Sequence, residues 1–108
     1  MAQEHLVVVA VAKAQSGKEE ELGSRLEGVA RASWLEPGVV SYAVHDLVDA
    51  SGEFMMVEVY QNRAAFDAHL ETDHVKALIA DLGSLVEGDL VVHQGTASAF
   101  SEGQKGVL

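Results

Sequence analysis

The order in which the hydrophobic pattern changes along the chain is the strongest constraint on its fold. Residues 5–13 are almost continuously apolar, which is typical of a central strand buried on both faces. Residues 18–34 change to a helical period, in which Leu22 and Leu26 fall on one face. The Glu-Pro-Gly sequence at 36–38 predicts the end of this helix, since Pro restricts the residue before it and Gly permits a tight turn.

Two strands joined by a hairpin are predicted next. Residues 39–45 alternate between two faces, as the residues of a strand do. The Asp-Ala-Ser-Gly sequence at 49–52 predicts the hairpin turn. Residues 53–61 then predict a third strand, in which Glu58 and Tyr60 share a face.

Two short helices and a final strand complete the pattern. Asn62 is predicted to cap the first helix, which carries Phe66 and Leu70 inward. Thr72 is predicted to cap the second helix. The apolar stripe of that helix consists of Val75, Ile79, Leu82 and Val86. Residues 89–97 predict the last strand, and the tail that follows should be ordered only if something holds it.

The resulting order, β-α-β-β-α-β with the second helix split, predicts a ferredoxin-like α+β fold. We expect one domain over residues 1–108, with a core at 5–97 and a C-terminal tail at 98–108 that could pack on a partner subunit. A four-stranded antiparallel sheet would carry its helices on one face. The valines of the first and third strands would leave the other face apolar and uncovered. We therefore expect a homodimer packed sheet to sheet.

Charge and the absence of Cys exclude several classes of function. The net charge of −10, with seven Lys and Arg against 17 Asp and Glu, disfavours nucleic acids and anionic membranes. Without Cys there are no disulfides, thiol nucleophiles or thiolate metal sites. The apolar run from Leu6 to Ala12 is too short to span a bilayer and follows no positive segment. We interpret that run as a strand and expect the protein to be cytoplasmic.

His69 and His74 are the strongest candidates for catalytic residues. On one continuous helix they would lie about 140° apart, but a new helix starting at Thr72 lets both rings converge on the sheet. Histidine is the commonest general acid or base. Each ring could equally flank an apolar stripe and bond a neighbour. The pair lacks the spacing of a helical zinc site and has no evident third ligand, so we expect no metal.

Three other side chains have both a functional and a structural interpretation. Glu58 could orient a histidine or accept a substrate proton, or it could form an ion pair with Arg63 or Arg31. Tyr60 could donate to a substrate carbonyl, or it could place its hydroxyl in water at a strand end. Trp34 could line a pocket for a flat ligand, or it could cap the core.

The chain resembles the antibiotic biosynthesis monooxygenase family from about Leu6 to Ala97. The motifs that carry the resemblance are Arg31-Ala32-Ser33 followed by Glu36-Pro37-Gly38, the strand end Glu58-Val59-Tyr60, and the segment from Ala68 to Ala77. The resemblance implies a small dimeric α+β barrel with a pocket between sheet and helices in each subunit. In its monooxygenase members a bound hydroquinone or anthrone is deprotonated, and the anion reduces oxygen directly without flavin, haem or metal.

The resemblance also implies roles for individual residues. The expected catalytic residues are His69, His74, Tyr60 and Glu58. Beyond what the resemblance implies, we expect Trp34, Phe66, Tyr42 and Arg63 to bind the substrate. The expected partners are a small aromatic substrate and oxygen, with no cofactor.

Two other branches of the family fit this chain less well. The haem-degrading branch has an axial His where this chain has Ile79. The isomerase branch, which acts on a phosphorylated linear dione, has polar residues where this chain has Val29 and Ala30, and no basic pocket is evident here. An isomerase of a small carbonyl compound, related to quorum-signal degradation, stays open as an alternative. A non-catalytic ligand-binding or stress-response dimer stays open as well.

Overall fold

The computed structural model describes residues 4–108. The strands are β1 (Leu6–Lys13), β2 (Val39–Asp46), β3 (Glu53–Tyr60) and β4 (Val91–Thr96). The helices are α1 (Glu19–Ser33), α2 (Arg63–Leu70), α3 (Asp73–Leu85) and the short α4 (Gly103–Gly106). The strands form one antiparallel sheet in the order β2-β3-β1-β4. The predicted ferredoxin-like α+β fold is confirmed.

The break between α2 and α3 comes from two local capping bonds. Oδ1 of Asn62 accepts from the backbone N–H of Ala65 at 2.9 Å, and Oγ1 of Thr72 accepts from that of Val75 at 3.4 Å. Each bond satisfies a donor that the first turn of a helix cannot use. Both predicted caps are therefore confirmed, and α3 starts in a new direction three residues after α2 ends.

The core lies between one face of the sheet and the helices. Val8 and Ala10 of β1 are buried on this face, whereas Val7 and Val9 on the other face are only half-buried. The prediction that β1 is buried on both faces is therefore wrong for a single chain, because α1, α2 and α3 all pack on the first face. The burial of these apolar side chains away from water stabilises the contact between the sheet and the helices.

Two apolar residues that were predicted to point inward are only partly covered. Leu70 is 39% exposed and Ile79 is 53% exposed. On α2 the inward positions are Phe66 and His69, and on α3 Leu78 is buried next to Ile79. Phe66 and Val75 are buried as predicted, and the buried face of each helix also includes a neighbouring position, His69 on α2 and Leu78 on α3.

The second face of the sheet meets the C-terminal tail. The carbonyl oxygen of Leu108 accepts from Nδ1 of His5 at 2.9 Å. A cavity of about 430 Å³ lies between the tail and the β1–β4 edge, and its walls include Val7, Val9 and His93. Within residues 4–108, no helix has the length and apolar character needed to cross a membrane.

Candidate active site

A cavity of about 200 Å³ lies between the helix-covered face of the sheet and helices α1 to α3. Its walls are aliphatic apart from Phe66 and three polar side chains, Tyr42, Glu58 and His69. It differs from the larger cavity under the tail, whose histidines are half-buried or exposed. An apolar cavity that holds a few buried polar groups is the usual form of a small-molecule site.

His69, Glu36 and His74 form a hydrogen-bonded cluster beside this cavity. The side chain of His69, near the end of α2, is 4% exposed, and that of His74, in the first turn of α3, is 24% exposed. Oε2 of Glu36 lies 2.9 Å from Nδ1 of His69 and 2.8 Å from Nε2 of His74. The helix break at Thr72 thus brings both rings to one carboxylate, and the ring of His69 also lies against Tyr42 and Tyr60 of the sheet.

The hydrogen-bond partners of His69 and His74 indicate which ring nitrogens carry a hydrogen. A carboxylate only accepts, so Nδ1 of His69 carries the hydrogen that it shares with Glu36. Nε2 of His74 also lies 3.2 Å from Oγ1 of Thr72 and 3.5 Å from Oγ of Ser33. Both hydroxyls already donate to backbone carbonyls, so Nε2 of His74 is a donor too. Nε2 of His69 has no hydrogen-bond partner among residues 4–108, and the ring of His69 lines the cavity.

Glu58 and Tyr60 form a second polar pair at the cavity. The fully buried Tyr60 donates its hydroxyl to Oε1 of Glu58 at 2.5 Å, which leaves Oε2 for a ligand. Burial raises the pKa of Glu58 from 4.5 to about 7; the Tyr60 bond lowers that pKa, and the charge on Glu36 raises it. Below pH 7 Glu58 is therefore mostly protonated and can donate from Oε2.

The two tyrosines near Glu58 stay protonated. Burial first, and then the charge of Glu58, raise the pKa values of Tyr42 and Tyr60 above the usual tyrosine value of 10. The ring centres of Tyr42 and Tyr60 lie 5.6 and 5.2 Å from that of His69. His69 therefore sits among aromatic rings that exclude water and offer hydroxyls as donors.

Glu36 is the site residue that the sequence did not reveal. It had been assigned only to the turn that ends α1. This turn packs closely against α2, as shown by the 2.5 Å that would separate a Cβ added to Gly38 from the Cβ of Ala65. The backbone N–H of Gln61 also donates to the carbonyl of Gly38 at 3.0 Å. The local sequence carries no signal for a partner 33 positions away.

The predicted site residues fall into three groups. Four of them line the cavity: Tyr42, Glu58, Phe66 and His69. Tyr60 and His74 lie behind it and bond to lining groups or to Glu36. Trp34 is 57% exposed and lines a different, shallow groove, so its predicted place in this pocket is wrong. Its indole N–H donates to the carbonyl of Tyr42 at 2.8 Å and thereby holds β2.

Neither arginine that was considered as a partner reaches Glu58. Arg63 donates to Oε1 of Gln94 at 2.8 Å and is not part of the cavity wall. Arg31 pairs with Glu27 at 2.7 Å within α1. The ion-pair alternative for Glu58 and the predicted position of Arg63 are both wrong, because both arginines bind other side chains at the surface.

Glu36, His69 and His74 are also the residues that could hold a metal ion, since their donor atoms lie within 4.8 Å of one another. The expectation that no third ligand exists was wrong, because Glu36 supplies one. Tetrahedral zinc with bonds of about 2.0–2.1 Å separates its donors by about 3.3 Å. Here the carboxylate oxygen is 2.8 and 2.9 Å from the two nitrogens. The arrangement therefore fits two hydrogen bonds directly, and a metal only after the donors move apart.

Comparisons with known proteins agree with this architecture. YcnE of Bacillus subtilis, which is named as a candidate monooxygenase, is 29% identical over 87 residues, covering 81% of this chain and 92% of YcnE. The uncharacterized protein sll1783 of Synechocystis is 32% identical over 73 residues, or 68% of this chain. The chain spans about half of that protein, 50% of its length.

A solved structure and a family model extend the comparison. The crystal structure of PA3566 from Pseudomonas aeruginosa matches with a TM-score of 0.85 at 24% identity, covering 92% of this chain and 99% of PA3566. That likeness supports the fold alone. A family model described as antibiotic biosynthesis monooxygenase matches residues 5–81. Because this match runs from β1 into α3 and covers well over half of the chain, the chain belongs to the antibiotic biosynthesis monooxygenase family.

Proposed function

We propose that this protein is a cofactor-independent monooxygenase that oxidises a small aromatic hydroxy compound, of the quinol or anthrone type, with molecular oxygen. For a hydroquinone, one oxygen atom enters the ring and gives a hydroxyquinone, and the other leaves as water. The substrate supplies all four electrons, so the reaction balances without another reductant. The protein would contribute a base, a donor and a dry cavity.

The observation that carries this proposal is that His69 lines an apolar cavity while its Nδ1 is hydrogen-bonded to Glu36. Nδ1 of His69 is anchored on Glu36, so Nε2 can take the proton of a substrate hydroxyl. The charge that then forms on the imidazole lies 2.9 Å from a carboxylate. This is the arrangement in which a carboxylate holds a histidine in its basic tautomer and stabilises the imidazolium. In this scheme His69 is the base, and His74 supports Glu36.

Glu58 and Tyr42 supply the opposite end of the site. Protonated Glu58 can donate from Oε2 to a second substrate oxygen, and Tyr42 offers a hydroxyl in the same cavity. Donors that are fixed before the substrate binds stabilise developing negative charge more effectively than water can. Removal of a proton at His69 and donation from Glu58 would together favour an electron-rich substrate anion.

The alternatives from the sequence differ in what the cavity must bind. An isomerase of a phosphorylated dione needs a cation for the phosphate, and the cavity walls contain no Lys or Arg. No observation therefore favours that reaction. A ligand-binding role without turnover would need the same cavity, and only a test of turnover separates it from the monooxygenase.

The experiment is oxygen uptake by metal-stripped protein supplied with reduced quinones and anthrones. We expect uptake above the autoxidation of the substrate, and its loss in His69→Ala. The exposed His45 on β2 gives a matched control, because His45→Ala removes an imidazole far from the cavity. Uptake that persists in His69→Ala would contradict the proposed base. Product formed equally well without oxygen would favour an isomerase.

We also propose that two copies pair through the uncovered face of the sheet. Val7, Val9 and Val57 leave this face apolar, and burial of such area drives association. The tail covers only the β1–β4 side of this face. A cytoplasmic location stays a prediction from the sequence.

A further inference from the structure

The size of the cavity limits which aromatic compound it can take. Its volume is about 200 Å³. An engineered apolar cavity of about 150 Å³ in another protein accommodates benzene, or roughly 25 Å³ for each non-hydrogen atom. At that ratio the present cavity takes about eight such atoms, which is the size of a hydroquinone. Pockets for drug-sized ligands are larger, about 300–1,000 Å³.

The floor and roof of the cavity resist expansion. Val8 and Met56 come from β1 and β3, the two central strands of the sheet, and are 1% and 2% exposed. Val75 and Leu78 of α3 close the opposite side at 6% exposure each. Close-packed interiors do not yield by a whole ring without breaking other contacts. The half-exposed Ile79 is the wall residue with most freedom to move.

The cavity walls also select against ligand charge. They contain no Lys or Arg, and their only carboxyl group is Glu58. A carboxylate or phosphate would lose its hydration there without gaining a cation, which is costly in an apolar site. An uncharged hydroxyl meets suitable partners instead, namely the free nitrogen of His69 and the donors Glu58 and Tyr42.

We propose that the preferred substrate is an uncharged single-ring compound with two oxygen substituents, close to hydroquinone in size, and that fused-ring quinols, anthrones and anionic aromatics bind at least tenfold more weakly. The first hydroxyl bonds to Nε2 of His69, and the second oxygen meets Oε2 of Glu58. The aromatic ring lies among the aliphatic walls and Phe66. This inference narrows the substrate class of the proposed monooxygenase and rests on it for the reaction, but binding is tested separately.

The test is binding of redox-stable phenols, measured by calorimetry and by shifts of methyl NMR signals from the cavity. The probes are 4-methylphenol, 1-naphthol and 4-hydroxybenzoate. Larger apolar ligands ordinarily bind more tightly because they bury more area. We expect the reverse here, with 4-methylphenol at least tenfold tighter than either of the other probes, and with shifts at Met56.

Variants make the size limit falsifiable. Leu78→Ala removes a buried part of the wall and enlarges the cavity. Ile79→Ala also enlarges the cavity, and it disturbs the core less because Ile79 is half-exposed. We expect both to bring the affinity for 1-naphthol level with that for 4-methylphenol or above it. Leu82→Ala is the control, because it lies on the same helix outside the cavity wall. The order of affinities should not change in that variant.

The outcomes separate this inference from the proposed function. Tighter binding of 1-naphthol by the unmodified protein, or an order that neither wall variant changes, would overturn the size limit. Failure of all three probes to bind would overturn it too. Oxygen uptake that saturates at a lower concentration of a fused-ring quinol than of hydroquinone would support the monooxygenase while overturning the single-ring preference. Selective binding of 4-methylphenol without any oxygen uptake would support the single-ring preference while contradicting the monooxygenase.

Discussion

Replacing Glu58 by Gln should abolish a loss of stability that the protein otherwise suffers between pH 5 and pH 8. Burial raises the pKa of this carboxyl from 4.5 to about 7. Between those two values the unfolded chain releases the proton while the folded chain keeps it, so the free energy of unfolding falls as the pH rises. The stabilisation is fully present below pH 4.5 and is lost as the pH passes 7.

The size of the effect follows from the two pKa values. At about 1.4 kcal/mol for each pH unit, the full difference is about 3.5 kcal/mol, of which about 2.5 kcal/mol lies between pH 5 and pH 8. Gln keeps an oxygen that can accept from Tyr60 but has no proton to lose. The stability of Glu58→Gln relative to the unmodified protein should therefore rise by about 2.5 kcal/mol across this range.

The assay is urea unfolding followed by circular dichroism at several pH values. Glu20→Gln serves as the control, because Glu20 is an exposed carboxyl on α1. Any part of the pH dependence that comes from net charge should appear equally in the control. A stability difference between Glu58→Gln and the unmodified protein that stays constant from pH 5 to pH 8 would refute the buried, protonated state of Glu58.

Two further predictions concern the cluster and the open face of the sheet. Glu36→Ala should leave the chain folded but remove the acceptor that fixes the hydrogen on Nδ1 of His69, which nitrogen-15 NMR of the ring detects as a mixture of tautomers. His74→Gln, which keeps a donor near Glu36, should preserve the single tautomer, and an unchanged spectrum in both variants would contradict the assignment. Val9→Glu should convert a dimer to a monomer in light scattering, whereas Val48→Glu, at an exposed site, should not. If Val9→Glu remained a dimer in light scattering, the open face of the sheet would not be the dimer interface.

The fold could be predicted because its signals are local. Asn62 and Thr72 are good caps in their own right, and each bonds a backbone group three residues away. The burial of His69 beside the partly exposed Leu70 could not be predicted so well. Leu70 and His69 are neighbours in sequence, and only packing against Tyr42 and Tyr60 decides that the imidazole turns inward.

The site was harder to predict because its bonds join distant segments. The sequence pointed to His69 and Glu58, and both line the cavity. Glu36 was not found, since its two bonds cross 33 and 38 positions of the chain. Arg63 and Trp34 were misplaced because side-chain type shows what a residue can bind, but not which surface it faces.

The contact of Gly38 with Ala65 sets a volume limit on the turn that carries Glu36. Because the two positions leave no room for another methyl group, they should vary together: a side chain at 38 is compatible with this turn only if position 65 loses its own. If position 38 gained a methyl group alone, the turn would lift from α2 and carry the carboxylate beyond hydrogen-bond reach of both rings. Among relatives, a glycine two residues after a glutamate here, opposite a small residue on the next helix, would thus mark chains that keep the imidazole pair bridged.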